Sequence, residues 1–317
     1  MTPISLEYNP DFLKEEVREG HLVTSEMKKL WLVELDMINK FIQVCDKYGL
    51  KYFADAGTLL GAVRHGGFIP WDDDVDLIMM REDFNKFKEI ARDEFKYPYY
   101  VELDTLNPDG ILTKIYKLDT TKIPESKVGD YAYGFRSISI DIFCLDYGPE
   151  TREEQKVHHR NLYNIIKMYK KFKFAIKRVY HDVRYKDKHI QIFERQLKRA
   201  YDKFDLECQK YKDTKFLFNN CFISYHLKDG LMRYTEDYAE TINLPFEMLT
   251  LKCPKGYKRI LDTIYTERTG IPWEVPTKNQ AFHNQNDKYI LDFDNPYTKY
   301  MKIYYDRQFD LDKLPKP

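Results

Sequence analysis

From Asp74 to Met79 the chain reads Asp-Val-Asp-Leu-Ile-Met, directly after Trp71-Asp72-Asp73. A strand turns successive side chains to opposite faces, so this spacing predicts Asp74 and Asp76 on one face and Val75 and Leu77 on the other. Two carboxylates held ~7 Å apart along one strand face repel each other unless they share a proton or converge on a hard divalent cation. The stretch therefore demands a sheet with one apolar face and one face that gathers charge. Just upstream, Tyr52 to Ala56 reads as a strand that runs into Gly57-Thr58, and Leu59 to Val63 reads as a short helix that Arg64-His65-Gly66-Gly67 ends. Small residues at such a turn let backbone N–H groups approach an anion, and the positive end of the following helix favours it, which makes Gly57 and Thr58 candidate phosphate ligands.

Three other readings of the acidic run are weaker on physical grounds. A solvated acidic loop would not interleave its acids with Val75, Leu77 and Ile78. A calcium loop of the EF-hand kind needs a glycine where Leu77 stands and a bidentate glutamate where Asp83 stands. An Asp-x-Asp on a Rossmann-like domain lacks the preceding Gly-x-Gly-x-x-Gly and repeated strand-helix units.

The contiguous run from Asp55 to Asp76, DAGTLLGAVRHGGFIPWDDDVD, resembles the signature of the LicD family. That family includes bacterial phosphocholine transferases and the fukutin-type enzymes of animals, and it is placed in the polymerase-beta-like nucleotidyltransferase superfamily. A weaker resemblance continues through Ile138 to Phe143 and into the C-terminal region, where a helix ending at Tyr265 precedes a proline-rich stretch and His283. The spacing there departs from the family pattern, and His283 is read as a packed or capping residue. The resemblance implies metal-dependent transfer of a phospho-alcohol group, phosphocholine above all, from a CDP-linked donor to a sugar hydroxyl of a cell-surface glycan or its precursor, with release of CMP. CDP-ethanolamine, CDP-glycerol and CDP-ribitol share the diphosphate, and no residue selects among them.

Carried over residue by residue, the resemblance makes Asp74, Asp76 and Asp141 the catalytic and metal-binding triad, with Mg²⁺ or Mn²⁺ as the cofactor. Asp141 lies on a strand where Ser137, Ser139 and Asp141 alternate with Ile138, Ile140 and Ile142. It either completes the metal shell or takes the proton from the attacking hydroxyl; otherwise it caps its strand or pairs with Lys114 or Arg136. Arg64 and His65 match the basic pair of the signature, and an arginine fork suits phosphate oxygens. Lys114 is a further donor-side candidate; Lys117, three residues on, must point to the opposite face of the same strand. Two alternatives remain open: a nucleotidylyltransferase that attacks the phosphorus beside the nucleoside, acting on a small molecule or sugar, and a non-catalytic glycan-binding homologue.

The rest of the chain frames this centre. Its 317 residues are ample for a large core, and 51 basic against 51 acidic residues offer nothing to nucleic acid. No apolar stretch reaches ~18 residues, the N-terminus lacks a secretory pattern, and the five cysteines form no C-x-x-C pair. These features predict a cytoplasmic location. Thr24-Ser25-Glu26 starts an amphipathic helix that Gly49 closes, with Trp31 as a core anchor. Residues 156–203 hold fifteen Lys/Arg against four Asp/Glu on two amphipathic helical patterns. This face is either solvated or applied to an anionic lipid surface, a lipid-linked acceptor or a charged glycan, which would make the protein peripheral at the inner membrane face. The fold expected is α+β: a nucleotidyltransferase mixed sheet over 50–150, an N-terminal helical segment over 1–49, a basic helical insert over 151–215, and a C-terminal extension over 216–317 that packs back on the core.

Overall fold

The computed structural model describes residues 1–107, 110–129, 131–132, 135–181, 187–223, 232–278 and 288–303. A small hairpin, β1 (Glu16–Arg18) and β2 (His21–Val23), leads into the long helix α1 (Ser25–Tyr48). Thr24 starts α1 by accepting the Met27 N–H at 3.2 Å, and Gly49 ends it at φ 64°, a left-handed backbone that glycine adopts without steric cost. Leu30, Trp31, Leu35, Ile38, Phe41 and Cys45 are buried as the 3.6-residue period predicts, but every residue from Leu30 to Ile38 is buried, Glu34 and Asp36 included, so the middle of the helix is enclosed on all sides.

The chain then builds a mixed sheet from β3 (Phe53–Ala54), β4 (Asp76–Met80), β5 (Tyr99–Asn107) and β6 (Gly110–Lys117), with α2 (Ala56–Arg64) and α3 (Arg81–Glu94) between them. After β7 (Thr121–Pro124) and β8 (Tyr131–Ala132) comes β9 (Ile138–Tyr147), the axis of the sheet. On one edge β9 runs parallel to β4, which in turn pairs antiparallel with β3. Its other edge is shared: β6 lies antiparallel along the first half, and β10 (Phe216–Asn219) along the end. β5 extends the sheet beyond β6, and β11 (Arg233–Tyr234) extends it beyond β10.

Two helices, α4 (Arg152–His181) and α5 (Asp187–Cys208), follow β9 over the stretch read as an insert, and Leu162, Ile165, Ile166, Ala200 and Phe204 bury their inner side. The C-terminal region adds the hairpin β12 (Thr241–Phe246) and β13 (Leu249–Pro254) and the short helix α6 (Tyr257–Leu261), which continues through a π-helical turn at Asp262–Thr266. It also adds β14 (Tyr289–Asp292), which pairs with β7, and β15 (Lys302–Ile303), which pairs with β8. One apolar core joins residues from Val23 to Phe293, so α1, the insert and the C-terminal region all close on the same sheet. The architecture is α+β with a mixed sheet.

Buried ion pairs fix how these parts meet. Lys117 and Asp36, 1 % and 0 % exposed, pair at 2.6 Å and join α1 to β6; Lys117 thus faces away from Lys114, as the strand period requires. Arg81 grips Asp146 with two bonds of 2.7 Å and reaches Asp205 of α5 at 2.7 Å, tying the insert to the ends of β4 and β9. Arg233 grips Asp55 at 2.7 and 3.0 Å and donates to Tyr238 Oη at 2.7 Å, locking the C-terminal region to the turn before α2. Removing one member of such a pair leaves a buried charge uncompensated, at a cost of about 3–5 kcal/mol. All five cysteines are free and buried. No helix among the described residues is long and apolar enough to cross a membrane.

Two expectations need correction. β4 begins at Asp76, whereas the alternation predicts a strand from Asp74; residues 72–75 form an extended approach to it. The approach still keeps the strand alternation, because the Asp141 N–H bonds Val75 O at 2.9 Å, and Asp74 and Asp76 stay partly exposed while Val75 and Leu77 are buried. The strand read from Tyr52 to Ala56 shrinks to Phe53–Ala54, since the chain turns into α2 at once.

Candidate active site

The registers of the sheet line up a row of charged residues. Asp76 of β4 stands opposite Asp141 of β9, Asp141 stands opposite Lys114 of β6, and Lys114 stands opposite Glu102 of β5. Directly opposed residues share one face, so the row alternates acid, acid, lysine, acid across four strands. Lys114 Nζ is ion-paired with Asp141, and Tyr116 Oη donates to Glu102 at 2.8 Å. On the other face Ile138, Ile140 and Ile142 are fully buried, which holds the acids at the surface of the sheet.

The approach to β4 brings more carboxylates to the end of this row. One carboxylate oxygen from each of Asp72, Asp73 and Asp74 lies within 4.8 Å of the others. Asp72 and Asp74 share a hydrogen bond, which requires a proton between them when no cation is bound. Burial, followed by the charges of Asp74, Asp141, Asp55 and Asp72, raises the Asp76 carboxyl well above the usual carboxylate range. Burial, followed by Asp74 and Asp73, does the same to Asp72, with Lys122 opposing. An all-oxygen set of converging acids whose mutual repulsion is this strong fits a hard divalent cation of the Mg²⁺ or Mn²⁺ type.

The support beneath the cluster comes from α1, α2 and β7. Trp31 Nε1 donates to the Asp72 carbonyl at 2.8 Å, and its indole stacks on Phe68 at 4.8 Å with planes 5° apart. One turn further along α1, Glu34 is completely buried, and neither carboxylate oxygen has a hydrogen-bond partner. Burial pushes its carboxyl well above the ordinary range, Lys122 counteracts, and Asp73, Asp74 and Asp72 add to the rise. Lys122 of β7 bonds both the carbonyl and the carboxylate of Asp73, the latter at 3.0 Å. Its side chain is the cation that anchors the middle acid of the run.

Gly57 and Thr58 serve the acids directly. The Thr58 hydroxyl accepts the Asp76 N–H at 2.9 Å, and the Asp55 N–H donates to Asp76 O at 3.0 Å, so the start of α2 grips the start of β4. A Cβ on Gly57 would stand 2.5 Å from Asp72 Oδ2; the anion that approaches this glycine is the chain's own carboxylate. Ala56, at φ 41°, takes the left-handed turn that allows this approach.

Arg64 and His65 lie at the other end of α2. Arg64 donates to Trp273 O at 2.7 Å, to Val275 O at 3.2 Å and to His65 Nε2 at 2.9 Å, which fastens the 273–275 segment to α2. Burial, then Arg64 and Arg18, lowers His65 to about 4, so it is neutral near pH 7. Tyr265, buried on the π-helical turn, lies close enough to Asp72, Asp76, Asp55 and Asp74 that these charges add to the effect of burial in raising its phenol. His283 falls outside the described residues. The structure thus groups Asp74, Asp76, Asp141, Lys114, Gly57 and Thr58, places Arg64 and His65 in the adjoining wall, and adds Asp72, Lys122, Trp31, Glu34 and Tyr265. Asp72 was legible in the acidic run and is in phase with Asp74 and Asp76, but it precedes the strand read from Asp74; the others carry no local signal.

Residues 49–181 match the family model described as LicD/FKTN/FKRP, nucleotidyltransferase domain. The lipopolysaccharide cholinephosphotransferase LicD of Haemophilus influenzae is 28% identical over 285 residues, 84% of this chain and 100% of that protein. An uncharacterized protein of Rickettsia typhi is 46% identical over 66 residues, 21% of each chain. The ribitol 5-phosphate transferase FKRP of Homo sapiens is 43% identical over 49 residues, 16% of this chain and 10% of that protein.

Proposed function

We propose that this chain, whose residues 49–181 are a LicD-family domain, transfers a phospho-alcohol group, phosphocholine first among them, from a CDP-linked donor to a sugar hydroxyl of a cell-surface glycan or its precursor, releasing CMP. The observation that carries the reading is the gathering, within that domain, of Asp72, Asp73 and Asp74, one carboxylate oxygen of each lying within 4.8 Å of the others, next to Asp76, which stands in register with Asp141. The names of the Haemophilus influenzae and Homo sapiens relatives, a cholinephosphotransferase and a ribitol 5-phosphate transferase, support the same class of reaction. On this reading the sheet is a polymerase-beta-like nucleotidyltransferase core, with acids from β4 and its approach facing one from parallel β9.

Asp72, Asp74 and Asp76 would hold Mg²⁺ or Mn²⁺, which would supply charge neutralisation on the donor diphosphate. Asp141, between Asp76 and Lys114, adds a ligand or accepts the proton of the attacking hydroxyl. Lys114, at hydrogen-bonding distance from Asp141, presents its ammonium to the donor side of the row. Gly57 and Thr58 act by placing Asp72 and Asp76, and Arg64 with neutral His65 shapes the wall that the 273–275 segment closes. Catalysis then comes from positioning and charge complementarity, as in phosphoryl transfer generally.

The test is a screen of CDP-choline, CDP-ethanolamine, CDP-glycerol and CDP-ribitol with Mg²⁺, following CMP with and without extracted lipopolysaccharide. Acceptor-dependent CMP release is expected with one of them. Release of diphosphate from a nucleoside triphosphate would instead make the protein a nucleotidylyltransferase, and no turnover of any donor would make it a non-catalytic homologue.

A further inference from the structure

The outward side of the α4–α5 hairpin carries a charge pattern that the transfer site does not use. At about 100° per residue, Lys156, Arg160, Lys167 and Lys171 fall within roughly 60° of one another on α4, and all four are exposed. Val157, 58 % exposed, and Met168, 38 % exposed, occupy the adjoining edge of the same face. α5 repeats the arrangement: Arg195, Arg199 and Lys203 are exposed, and Ile192 and Leu206, 46 % and 74 % exposed, lie among them. The opposite sides of both helices are buried, so neither face is reserved for the core.

We propose that this face seats the protein on an anionic phospholipid bilayer. Charge complementarity selects an anionic partner, since 156–203 carries fifteen Lys/Arg against four Asp/Glu. The apolar side chains select a bilayer over a charged polysaccharide. Long basic side chains lay their stems along the surface with their charges at the phosphates, while neighbouring apolar tips enter the headgroup boundary; a hydrated polyanion gives such tips nothing to enter. The hairpin also borders the site. Lys173 lies within electrostatic reach of Glu102, the outermost acid of the charged row. Lys173 is on the side of α4 away from the basic face, so a seated hairpin would hold the row about one helix diameter, ~10–12 Å, from the membrane on which a lipid-linked acceptor is presented. That last consequence rests on the transfer reading, whereas the lipid binding does not.

Sedimentation of the full chain with vesicles tests the seating without any turnover. Binding is expected to vesicles of mixed phosphatidylglycerol and phosphatidylcholine, to be absent with phosphatidylcholine alone, and to weaken in high salt. Each basic side chain near an anionic surface is worth roughly fivefold in partitioning, so the combined variant Lys156→Gln, Arg160→Gln, Lys167→Gln, Lys171→Gln should bind several hundredfold more weakly. Met168→Asp should weaken binding further, and both variants should melt like the wild type because every altered side chain is exposed. Equal binding to both vesicle types, or unaltered binding by the four-site variant, overturns the proposal. So does binding to a sulfated polysaccharide that matches the vesicles and ignores Met168→Asp, which would identify a glycan surface. Turnover of a water-soluble acceptor, unchanged in the four-site variant, keeps failure of the lipid binding separate from failure of the transfer reading.

Discussion

Replacing Asp76 with asparagine should stabilise the metal-free protein while destroying its activity. Asp76 and Asp141 are paired in register on neighbouring parallel strands. At a strand separation of ~4.8 Å and an effective dielectric constant of about 20, two full charges repel by roughly 3 kcal/mol. Part of that repulsion is already relieved, because burial and the neighbouring acids raise the Asp76 carboxyl and favour its neutral form. The gain from asparagine should therefore be about 1–3 kcal/mol, or a melting temperature higher by roughly 1.5–4.5 °C for a chain of this size. The sign of the pH dependence follows from linkage. A carboxyl raised in the folded state binds its proton more tightly there than in the unfolded chain, where its ordinary value is 3.8. Wild-type stability therefore falls as pH rises from that value through the folded one. The advantage of Asp76→Asn should be small near pH 4 and full above the folded value. With Mg²⁺ the order should reverse: saturating cation at about a hundred times its dissociation constant adds roughly 2.7 kcal/mol to the wild type, and the variant should lose most of this shift. Thermal melts in EDTA and in Mg²⁺ across pH, with kcat on the same preparation, read all three effects. A variant that melts at or below the wild type in EDTA, with an intact Mg²⁺ shift, would refute the reasoning.

Asp141→Asn should keep donor affinity and lose ~10² or more in kcat, the scale of a positioned proton acceptor; titration of CDP-choline beside kcat checks this, and a kcat within a few-fold of wild type removes Asp141 from the chemistry. Gly57→Ala would put a methyl group 2.5 Å from Asp72 Oδ2, so it should displace Asp72 and cut kcat by about tenfold or more. Unchanged kcat and Mg²⁺ affinity in that variant would show that Asp72 takes no part. His65, ordinarily near 6.5, is lowered to about 4. As pH falls from 6.5 towards 4 the unfolded chain takes up the proton first, so the wild type should lose at most about 3 kcal/mol that His65→Gln retains. Urea melts of the two proteins at pH 4, 5.5 and 7 should separate progressively in the acid direction, and parallel curves would contradict the burial of the ring.

Local period and capping were readable from residues alone. The amphipathic run from Ser25 and the glycine at 49 specify that α1 forms and where it ends, because a helix ends on a left-handed residue wherever the sequence supplies one, although the fold encloses its middle from Leu30 to Ile38 on every side. The alternation around Asp76 and Asp141 specifies which side of each strand faces water, because side chains in a strand can only alternate. The strand period put Asp74 and Asp76 on one face, and the resemblance to the LicD family added Asp141 as their partner. What no local pattern contains is register. That Asp76 meets Asp141 and Asp141 meets Lys114 depends on how β4, β9 and β6 align across segments far apart in the chain, a choice made by the shared apolar face beneath them. The same holds for the supports. Trp31 reads as an ordinary core anchor until Asp72 is laid against it, and Lys122 carries no signal in the sequence until β7 brings it to Asp73. Gly57 reads as a seat for a phosphate until the fold fills the space before it with Asp72. Sequence by itself determined which side chains are charged and which way each local segment must face. The tertiary structure alone decided which charges meet, because electrostatic partnership falls off within a few ångströms and the chain brings distant segments that close only by packing.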